Sequence, residues 1–347
     1  MNLYFNDDIQ RIGFACKYMH PDQTLSNKAL EDIQRPFNGR TTTLRWLNSQ
    51  PRDVAEQRLW DITKFNTDAL INLIRYVSWL PENQRMLRIS SDILPLYTHP
   101  DWEYFYNQSD VRHHVESRLM LAGEIADRED IRLSMHPGQF TVLASDNPGI
   151  VENSIREFEY HADIVRMMGY GRSFMDFKIN VHISGRNGPD GIRAILPRLS
   201  AEARNCITIE NDENSWGLDS SLELAKDLAL VLDIHHHWIR DEEYIQPTDD
   251  RFKRVIDSWR GVRPTIHYSL SREENIGDAV WPDLLPDIKG LLKLGFKKSK
   301  LRAHSNMMWN NACNDWALTF LPYADIMVEA KHKNLASEQL SKGIKTP

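Results

Sequence analysis

About eight short apolar segments, separated by stretches with helical periodicity, constrain the fold of this 347-residue chain more than any other feature. Tight-hairpin signals between neighbouring segments are missing, as expected for parallel strands joined by helical crossovers. Eight such strands predict a closed (β/α)8 barrel, the TIM barrel, with extended loops at the carboxyl ends of the strands. The predicted strands cover residues 11–15, 86–89, 131–135, 177–182, 206–210, 230–233, 264–267 and 325–328. The predicted helices cover residues 63–80, 110–127, 148–168, 219–229, 249–258, 283–293 and 311–321.

A doubly wound open sheet is the alternative architecture for the same alternation of strands and helices. Its nucleotide-binding form needs a Gly-x-Gly-x-x-Gly turn after the first strand, and this chain has none there, so we expect no nucleotide cofactor. Linkers rich in Gly, Pro or Ser and low-complexity segments are also missing. We therefore expect a single domain over residues 1–347, with a core at about 11–333 and a polar C-terminal tail at 334–347.

The composition is that of a soluble globular protein, with 41% hydrophobic and 26% charged residues. No run approaches the ~18 apolar residues that a membrane helix needs, and the N-terminus lacks the basic start and apolar stretch of a signal peptide. Cys16, Cys206 and Cys313 are too far apart in sequence to suggest a disulfide framework or a cysteine zinc site. These features favour a cytoplasmic protein with no membrane partner.

The formal net charge of −7 argues mildly against nucleic acid as a partner, because phosphate-binding proteins usually carry a basic surface. Carboxylates gathered around metal ions would be neutralised locally, however, and this weakens the argument. A basic stretch late in the chain could bind a phosphate backbone, although a solvated surface is the more common role of such a stretch. Its charged residues are Lys293, Lys297, Lys298, Lys300 and Arg302.

The predicted strand at 131–135 stops abruptly at His136-Pro137-Gly138. Proline cannot donate to a strand ladder and glycine permits the sharp turn that follows, so the histidine lies at the C-terminal tip of the strand. A polar side chain and a flat ring, Gln139 and Phe140, follow on the loop. A single histidine at a strand end is more often structural than a ligand, so its significance depends on recurrence.

Imidazole and carboxylate side chains recur at the ends of the other predicted strands or on the loops that follow them. In a (β/α)8 barrel these ends and loops form one open face, where catalytic groups gather. Six imidazoles and three carboxylates at one mouth would be unfavourable without partners, and divalent cations are the simplest partners. Nine candidates predict two or three ions, and mixed nitrogen and oxygen donors without thiolate suit manganese, zinc, iron or magnesium. The nine candidates are His99, His136, His182, Glu210, Asp233, His236, His267, His304 and Glu329.

Each candidate also has an ordinary structural interpretation. His99 and His304 are predicted on loops and are equally compatible with an exposed surface. Glu210 could stabilise a helix N-terminus, and Glu329 could pair with a nearby lysine. Side-chain alternation would point His236 away from its two histidine neighbours, so at most one or two of the three share a site. The recurrence at successive strand ends supports a metal site more strongly than any one residue does.

A cluster of cations favours hydrolysis of a phosphodiester, since paired ions roughly 3.5–4 Å apart activate water and stabilise the leaving oxygen. A sugar isomerase could use a similar barrel with two metals. The chemistry of the ligands alone therefore leaves both reactions open.

Four segments of the chain together resemble the UV damage endonucleases. They are Arg88-Ile89-Ser90-Ser91 through Pro95 and His99-Pro100, Ser134-Met135-His136-Pro137-Gly138-Gln139-Phe140, Glu210-Asn211-Asp212-Glu213, and Met327-Val328-Glu329-Ala330-Lys331. The resemblance runs from Arg11 to about Lys333. It implies a metal-dependent (β/α)8 barrel related to endonuclease IV. Such an enzyme nicks DNA on the 5′ side of cyclobutane pyrimidine dimers and (6-4) photoproducts, and often acts at abasic sites.

By position, the resemblance assigns the nine candidates to a manganese-type cluster, for which magnesium or zinc are the other options. Gln139 and Phe140 match a pair that probes the duplex where the lesion is displaced, and Phe14 matches an aromatic residue of the lesion groove. A damaged step costs less to unstack, and an inserted ring replaces the lost stacking. The expected partner is double-stranded DNA with UV lesions, bound by a monomer. The residues expected to be catalytic are Glu210, His236 and Glu329.

Three features depart from the pattern of this family. Phe140 and Phe14 stand where tyrosine is familiar. Thr265 stands where some members carry a lysine near the metal site, two residues before His267. The stretch 271–300 is longer than in compact members. The open alternatives are an abasic-site nuclease or a sugar isomerase with the same metal-lined mouth, and a non-catalytic protein that binds damaged DNA.

Overall fold

The computed structural model describes residues 5–276 and 281–344 as a barrel of eight short strands surrounded by helices. The strands are β1 (Ile12–Ala15), β2 (Met86–Arg88), β3 (Arg132–Met135), β4 (Lys178–His182), β5 (Ile207–Glu210), β6 (Ala229–Val231), β7 (Thr265–Tyr268) and β8 (Asp325–Val328). The helices are α1 (Asn27–Gln34), α2 (Leu44–Asn48), α3 (Arg52–Ser78), α4 (Glu103–Tyr106), α5 (Ser109–Arg128), α6 (Pro148–Met167), α7 (Gly188–Ile195), α8 (Ala201–Cys206), α9 (Leu218–Ser221), α10 (Ile234–Asp241), α11 (Asp250–Ser258), α12 (Glu273–Ile276), α13 (Ile288–Lys293), α14 (Lys298–Leu301), α15 (Asn311–Leu318) and α16 (Lys333–Ser341). Across the described ranges, no helix combines the length and the apolar character needed to cross a membrane.

The strands pair in parallel in the order β6-β5-β4-β3-β2-β1-β8-β7. In this register His182 of β4 lies beside Glu210 of β5. The two ends of the sheet meet at one bridge between Asp233 and His267, where the His267 N–H donates to the Leu232 carbonyl at 3.0 Å. The sheet is therefore a nearly closed (β/α)8 barrel, as the alternation of segments predicts, and not a doubly wound open sheet.

The strands are apolar on both faces, because helices cover the outside of the barrel and side chains fill its inside. β1, β3 and β8, for example, are buried at every position. The eight predicted strands are confirmed, and their boundaries differ from the predicted ones by at most two residues. At the amino-terminal end of the barrel, Arg132 and Arg263 each form an ion pair of 2.7 Å with the buried Asp325.

Several helices differ from the predicted ones. α3 begins at Arg52, directly after Pro51, and the predicted helix covers only its more apolar second part. The segment 219–229 contains only part of α9 and a short 3₁₀ turn. α13 begins late, after Asp287, whose carboxylate accepts a hydrogen bond from the Lys289 N–H at 3.1 Å. Several other helices are not predicted, because each is too short to show a clear repeat of apolar positions. They are α1, α2, α4, α7, α8, α10, α12 and α14.

Within the described residues 334–344, the C-terminal segment is largely helical and not the polar tail that the sequence suggests. α16 packs against β1 and β8. Ala336 and Leu340, one helical turn apart, are almost fully buried, so this helix belongs to the core. The prediction is wrong because so few apolar residues mark the buried face of the helix. Residues 345–347 lie outside the described part of the chain.

The connection from β7 to β8 contains a long insertion, residues 271–304, which we call the β7–β8 insertion; its described parts, 271–276 and 281–304, lie at the barrel rim. It begins and ends at one place, because Ser271 and His304 pair through an antiparallel bridge. It covers the whole stretch 271–300 noted in the sequence, of which residues 277–280 lie outside the described residues. The insertion shares a small apolar cluster with α10, made of Trp238, Ile239, Ile276, Ile288, Leu291 and Leu301.

Candidate metal centre

Glu210, the last residue of β5, lies at the centre of a cluster of histidines at the carboxyl end of the barrel. Its Oε2 atom lies 3.1 Å from His267 Nδ1, 3.4 Å from His136 Nε2 and 3.9 Å from His182 Nε2. Its Oε1 atom lies 3.4 Å from His236 Nδ1. Because Glu210 is completely buried, four imidazole rings from different elements surround an anion inside the barrel mouth.

Glu329 and Asp233, which follow β8 and β6, add two further carboxylates. Glu329 Oε1 lies 3.2 Å from His267 Nδ1 and accepts a hydrogen bond from Arg88. Asp233 Oδ2 lies 3.8 Å from His236 Nδ1. These side chains come from separate strand ends, so the closure of the barrel is what brings them together.

Three buried atoms of this cluster have no hydrogen-bond partner among the residues that the structure describes. They are Glu210 Oε1, Asp233 Oδ2 and His267 Nδ1. Unpaired buried polar atoms are unfavourable, and a cation is one partner that could satisfy all three. Imidazole nitrogen with carboxylate oxygen, without thiolate, is a donor set that suits manganese, zinc, iron or magnesium. The residues therefore fit a divalent metal centre.

The possible ligands form four overlapping groups of three, in each of which the ligand atoms lie within 4.8 Å of one another. The groups are His136–His182–Glu210, His182–Glu213–His236, Glu210–Asp233–His236 and Asp233–His267–Glu329. Neighbouring groups share members, so the four groups form one continuous set of possible metal ligands.

Burial and nearby charges shift the pKa values in this centre. Burial raises the pKa of Asp233 to about 8, and the charge of His236 offsets this only in part. Burial lowers the pKa of His236, but the carboxylates of Asp233, Glu210 and Glu213 outweigh this effect and raise the pKa to about 10. Burial lowers the pKa of His267 to about 4, although Glu210 opposes this. In the metal-free centre burial therefore favours the neutral forms of Asp233 and His267, and the surrounding carboxylates favour the protonated form of His236.

Metal affinity is expected to rise with pH, because a cation must displace protons from Asp233 and His236. The proton on Asp233 competes with the metal below its raised pKa of about 8 and no longer competes above it. His236 competes up to its own pKa of about 10. Titration calorimetry of the metal-free protein with Mn²⁺, in buffers of different ionisation enthalpy, should show proton release at neutral pH and tighter binding at roughly pH 8.5. Affinity that stays constant over this range without proton release would contradict the expectation.

Hydrogen bonds from outside the cluster fix the orientation of its rings. His136 Nδ1 lies 2.9 Å from the Pro137 carbonyl oxygen, which places the hydrogen on Nδ1 and turns Nε2 towards Glu210. His182 Nδ1 lies 3.1 Å from Asp212 Oδ2, with the same consequence for its Nε2 atom. Histidines that bind metals are commonly oriented by such outer partners.

A buried lysine also borders the centre. Lys178 of β4 places Nζ 2.8 Å from His267 Nε2, and burial lowers the pKa of this lysine to about 7. Thr265, which stands where the resemblance places a lysine, is buried, and its hydroxyl has no hydrogen-bond partner in the described ranges. The amino group beside His267 therefore comes from β4 and not from position 265.

Replacing Asp212 with asparagine is expected to lower metal affinity or activity by about 10–100-fold, the usual effect of losing an outer partner of a ligand. Asp212 Oδ1 accepts hydrogen bonds from the N–H groups of Asn214 and Ser215 at 2.7 and 2.6 Å, and the oxygen of asparagine can keep them. The amide NH₂ would then face His182 and could not accept its Nδ1–H. Metal content after dialysis, measured by mass spectrometry, checks this result.

The control for Asp212→Asn is Ser215→Ala, which removes only the hydroxyl bonded to Asp212 Oδ1 at 2.9 Å. This control should keep its metal. Equal metal content in the two variants and the parent protein would show that the Asp212 carboxylate does not orient His182.

Seven of the nine predicted ligands meet in the four groups. His304 lies at their edge, with Nδ1 4.0 Å from Glu329 Oε2, and it belongs to none of them. His99 lies on a loop, where its Nδ1 accepts a hydrogen bond from the Asp101 N–H at 3.2 Å. It lines a groove together with Phe140 and is not among the grouped ligands of the described chain. A loop of this length does not fix a side chain as a strand end does, so His99 as a ligand stays a prediction.

Gln139 and Phe140 form the tip of a turn in which the Thr141 N–H donates to the Gly138 carbonyl at 2.9 Å. Both side chains are exposed, and Phe140 is 85% exposed. A groove of about 640 Å³ lies between this turn and the loop that carries His99. A phenylalanine this exposed adds little to the core and is free to contact a partner.

Phe14 lies inside β1, and its predicted role in a lesion groove is wrong for this structure. It is 1% exposed, and its ring packs edge-to-face on Tyr76 with 6.4 Å between the centroids. It therefore has no free surface to offer to DNA. The resemblance assigned this role from sequence position alone. Because β1 is apolar at every position, its sequence does not show which side chains are exposed.

His235, His236 and His237 belong to α10 and not to the end of a strand. Asp233 begins this helix by accepting hydrogen bonds from the N–H groups of His235 and His236 at 2.8 and 2.7 Å. Helical geometry points the three rings in different directions, and His236 is the one that faces Glu210. The prediction that these histidines alternate as in a strand is therefore wrong. Only His236 belongs to the groups of possible ligands.

The centre also contains residues that the sequence analysis does not assign to it: Lys178, Asn180, Asp212 and Glu213. Glu213 follows β5 on a loop, and its Oε2 lies 3.6 Å from His236 Nε2. A period of two along β4 could have identified two others. Lys178, Asn180 and His182 alternate with apolar residues, so all three point to the same face of the strand.

A protein-family profile described as UV-endonuclease UvdE matches residues 10–346. The chain belongs to this family. A UV-damage endonuclease of Schizosaccharomyces pombe is 28% identical over 345 residues, which cover 95% of this chain and 50% of that protein. A UV DNA damage endonuclease of Bacillus cereus (strain 03BB102) is 26% identical over 309 residues, which cover 86% of each chain. This UvdE chain thus spans about half the length of the S. pombe relative and most of the Bacillus one.

The fold of the UvdE chain is similar to that in a solved structure titled crystal structure of SacUVDE. The TM-score is 0.67 and the sequence identity 22%, with 96% of this chain and 97% of the other covered. The similarity supports the (β/α)8 architecture found here.

Proposed function

We propose that this member of the UvdE family is a metal-dependent DNA-repair endonuclease that nicks duplex DNA on the 5′ side of UV photolesions. The observation that supports this most is the convergence of metal-ligand side chains from separate strand ends beside an exposed polar and aromatic pair. His136 belongs to the cluster, and Gln139 and Phe140 follow it on the same loop. The proposed substrate is double-stranded DNA with cyclobutane pyrimidine dimers, (6-4) photoproducts or abasic sites, bound by a monomer.

Two or three divalent cations, with Mn²⁺ as the proposed ion, would activate water and neutralise charge on the phosphodiester. Glu210, Asp233 and Glu329 would hold them as anionic ligands, alongside the neutral imidazoles. We propose that Glu210, His236 and Glu329 act directly in catalysis, and the first two each belong to two of the four groups. Arg88 beside Glu329 adds a positive charge at the edge of the centre, which favours an anionic substrate.

The Gln139–Phe140 turn would recognise the lesion by its weakened stacking. A damaged step is easier to open than an intact one, and an inserted aromatic ring replaces the base stacking that is lost. Gln139 offers an amide that can donate to and accept from exposed base edges. Both side chains are exposed next to the groove at the His99 loop, where a displaced strand could lie.

Incision of end-labelled duplex oligonucleotides tests this function. Each duplex carries one defined lesion, a cyclobutane dimer, a (6-4) photoproduct or an abasic site, and a fourth carries none. The reactions contain the metal-free protein with added Mn²⁺, Mg²⁺ or Zn²⁺. We expect a single nick directly 5′ of the photolesions that depends on added metal, and no nick in the intact duplex.

Three other results would overturn the proposal. Equal nicking of intact and damaged duplex would mean that lesions are not recognised. Incision at abasic sites alone would identify an abasic-site nuclease. Tight binding to the lesion without any nick in all three metals would identify a non-catalytic damage-binding protein.

A further inference from the structure

Residues 288–302, in the second half of the β7–β8 insertion, carry a basic surface that the metal centre does not use. We infer that this surface binds phosphates of the duplex beside the incision site, an inference that rests on the proposed endonuclease function. Residues 288–302 contain six lysine or arginine residues and no aspartate or glutamate, in a chain whose net charge is −7. A concentration of positive charge on an otherwise acidic protein indicates an anionic partner.

Among the described residues, two of the six cations form ion pairs and four do not. Lys298 Nζ forms an ion pair with Glu242 at 2.9 Å, and Arg302 Nη1 forms one with Glu213 at 3.3 Å. The other four are exposed, and the structure gives them no ion pair within its described ranges. These are Lys289, Lys293, Lys297 and Lys300.

The insertion stands at the rim of the metal centre. Arg302 pairs with Glu213, whose other oxygen lies 3.6 Å from His236 Nε2. His304, at the end of the insertion, lies 4.0 Å from the Glu329 carboxylate. Lys300 is therefore only two residues from a side chain in contact with the candidate ligands. A duplex with its scissile bond at the centre carries phosphates along its whole length, so those beyond the rim can reach this surface.

The insertion is held firmly enough to present its lysines in a fixed place. Its apolar side chains Ile288, Leu291 and Leu301 pack on Trp238 and Ile239 of α10, the helix that carries His236. Lys298 adds a hydrogen bond to the Arg240 carbonyl at the end of the same helix. The same helix carries the candidate ligand His236 and supports the basic surface. This favours one substrate that contacts both the metal centre and the basic surface.

The test compares the triple variant Lys293→Gln, Lys297→Gln and Lys300→Gln with the parent protein. Binding to a lesion-free duplex is followed by fluorescence anisotropy between about 50 and 200 mM salt. The slope of log K against log salt should become shallower by about 0.9 for each lysine that contacts a phosphate. The matched Lys→Arg triple variant should restore the slope, because it keeps the charges.

A second triple variant controls for the loss of three positive charges. It replaces Lys226, Lys342 and Arg172 with glutamine, three exposed cations outside the insertion. The slope of this control should equal that of the parent protein. Equal slopes for both glutamine variants, or a loss of slope in the control alone, would overturn the inference.

Incision separates this inference from the proposed function. On lesion duplex the insertion variant should show a raised KM at physiological salt and an unchanged kcat, since no residue of the metal centre is altered. Incision by the parent protein with no change of slope or KM in the variant would refute the DNA-binding surface alone. A change of slope in a protein that never incises would support the surface and refute the endonuclease.

Discussion

Incision by the Glu210→Gln variant is expected to fall by at least about a thousandfold, well beyond the 10–100-fold effect of losing an outer partner. Glu210 is the buried carboxylate that four imidazoles surround, with ring nitrogens 3.1–3.9 Å from its oxygens. Glutamine has the same shape but removes the anion, and its NH₂ group cannot bind a cation. The centre would lose the charge that a divalent ion requires.

Metal content and incision rate, measured on the same preparation of Glu210→Gln, check this expectation. Glu116→Gln is the matched control, because Glu116 lies on the outside of α5, where it pairs with Arg112 at 2.6 Å. The control should incise at the rate of the parent protein. Incision within tenfold of the parent by a fully metal-loaded Glu210→Gln would show that the centre of this cluster is not the catalytic site.

The double variant Gln139→Ala and Phe140→Ala is expected to lose about two orders of magnitude in the rate of lesion incision while keeping its metal. Stacking of a base on an aromatic ring contributes about 1–3 kcal/mol, and each 1.4 kcal/mol corresponds to roughly tenfold. Phe140 is 85% exposed, so its loss leaves no cavity in the core and should not lower the melting temperature. Single-turnover incision of a duplex with one cyclobutane dimer measures the effect.

Two further variants define the role of the turn. Trp79→Ala removes another exposed aromatic ring, 78% exposed directly after α3, and should leave incision unchanged. Phe140→Tyr keeps the ring and should retain most of the activity. If the double variant incises as fast as the parent protein, the turn does not probe the lesion and recognition lies elsewhere.

The strand ends were the most predictable part of this molecule, because chemistry and geometry coincide there. A short apolar run that ends at a polar residue marks a parallel strand, and the barrel then sends its last side chain to the common mouth. His182 and Glu210, the last residues of β4 and β5, follow this rule, and both lie in the groups of candidate ligands. His267 also lies in the groups, one residue before the end of β7. Their mutual distances could not be predicted, because they depend on the register of strands far apart in the sequence.

Loops and doubly buried strands were less predictable. His99 lies on a long loop after β2, and the geometry of the strand does not determine where such a loop ends. Phe14 lies in a strand whose residues are all apolar, so no alternation of polar and apolar residues shows whether its ring is buried or exposed. Glu213 lies on a loop, and it joins the centre only through His236 of a different element, so the sequence alone could not place it there.

The barrel closes between β6 and β7 through a single bridge, Asp233 to His267. Every other pair of neighbouring strands shares at least two register positions, whereas β6 and β7 meet only at this point among the described residues. Both residues that form the bridge also belong to the candidate metal centre. An ion bound by both side chains would link the β6 and β7 sides of the barrel at the place where the strands share the fewest contacts. Metal binding and closure of the barrel would then be thermodynamically coupled. Removal of the metal would destabilise the contact between β6 and β7 before the rest of the barrel.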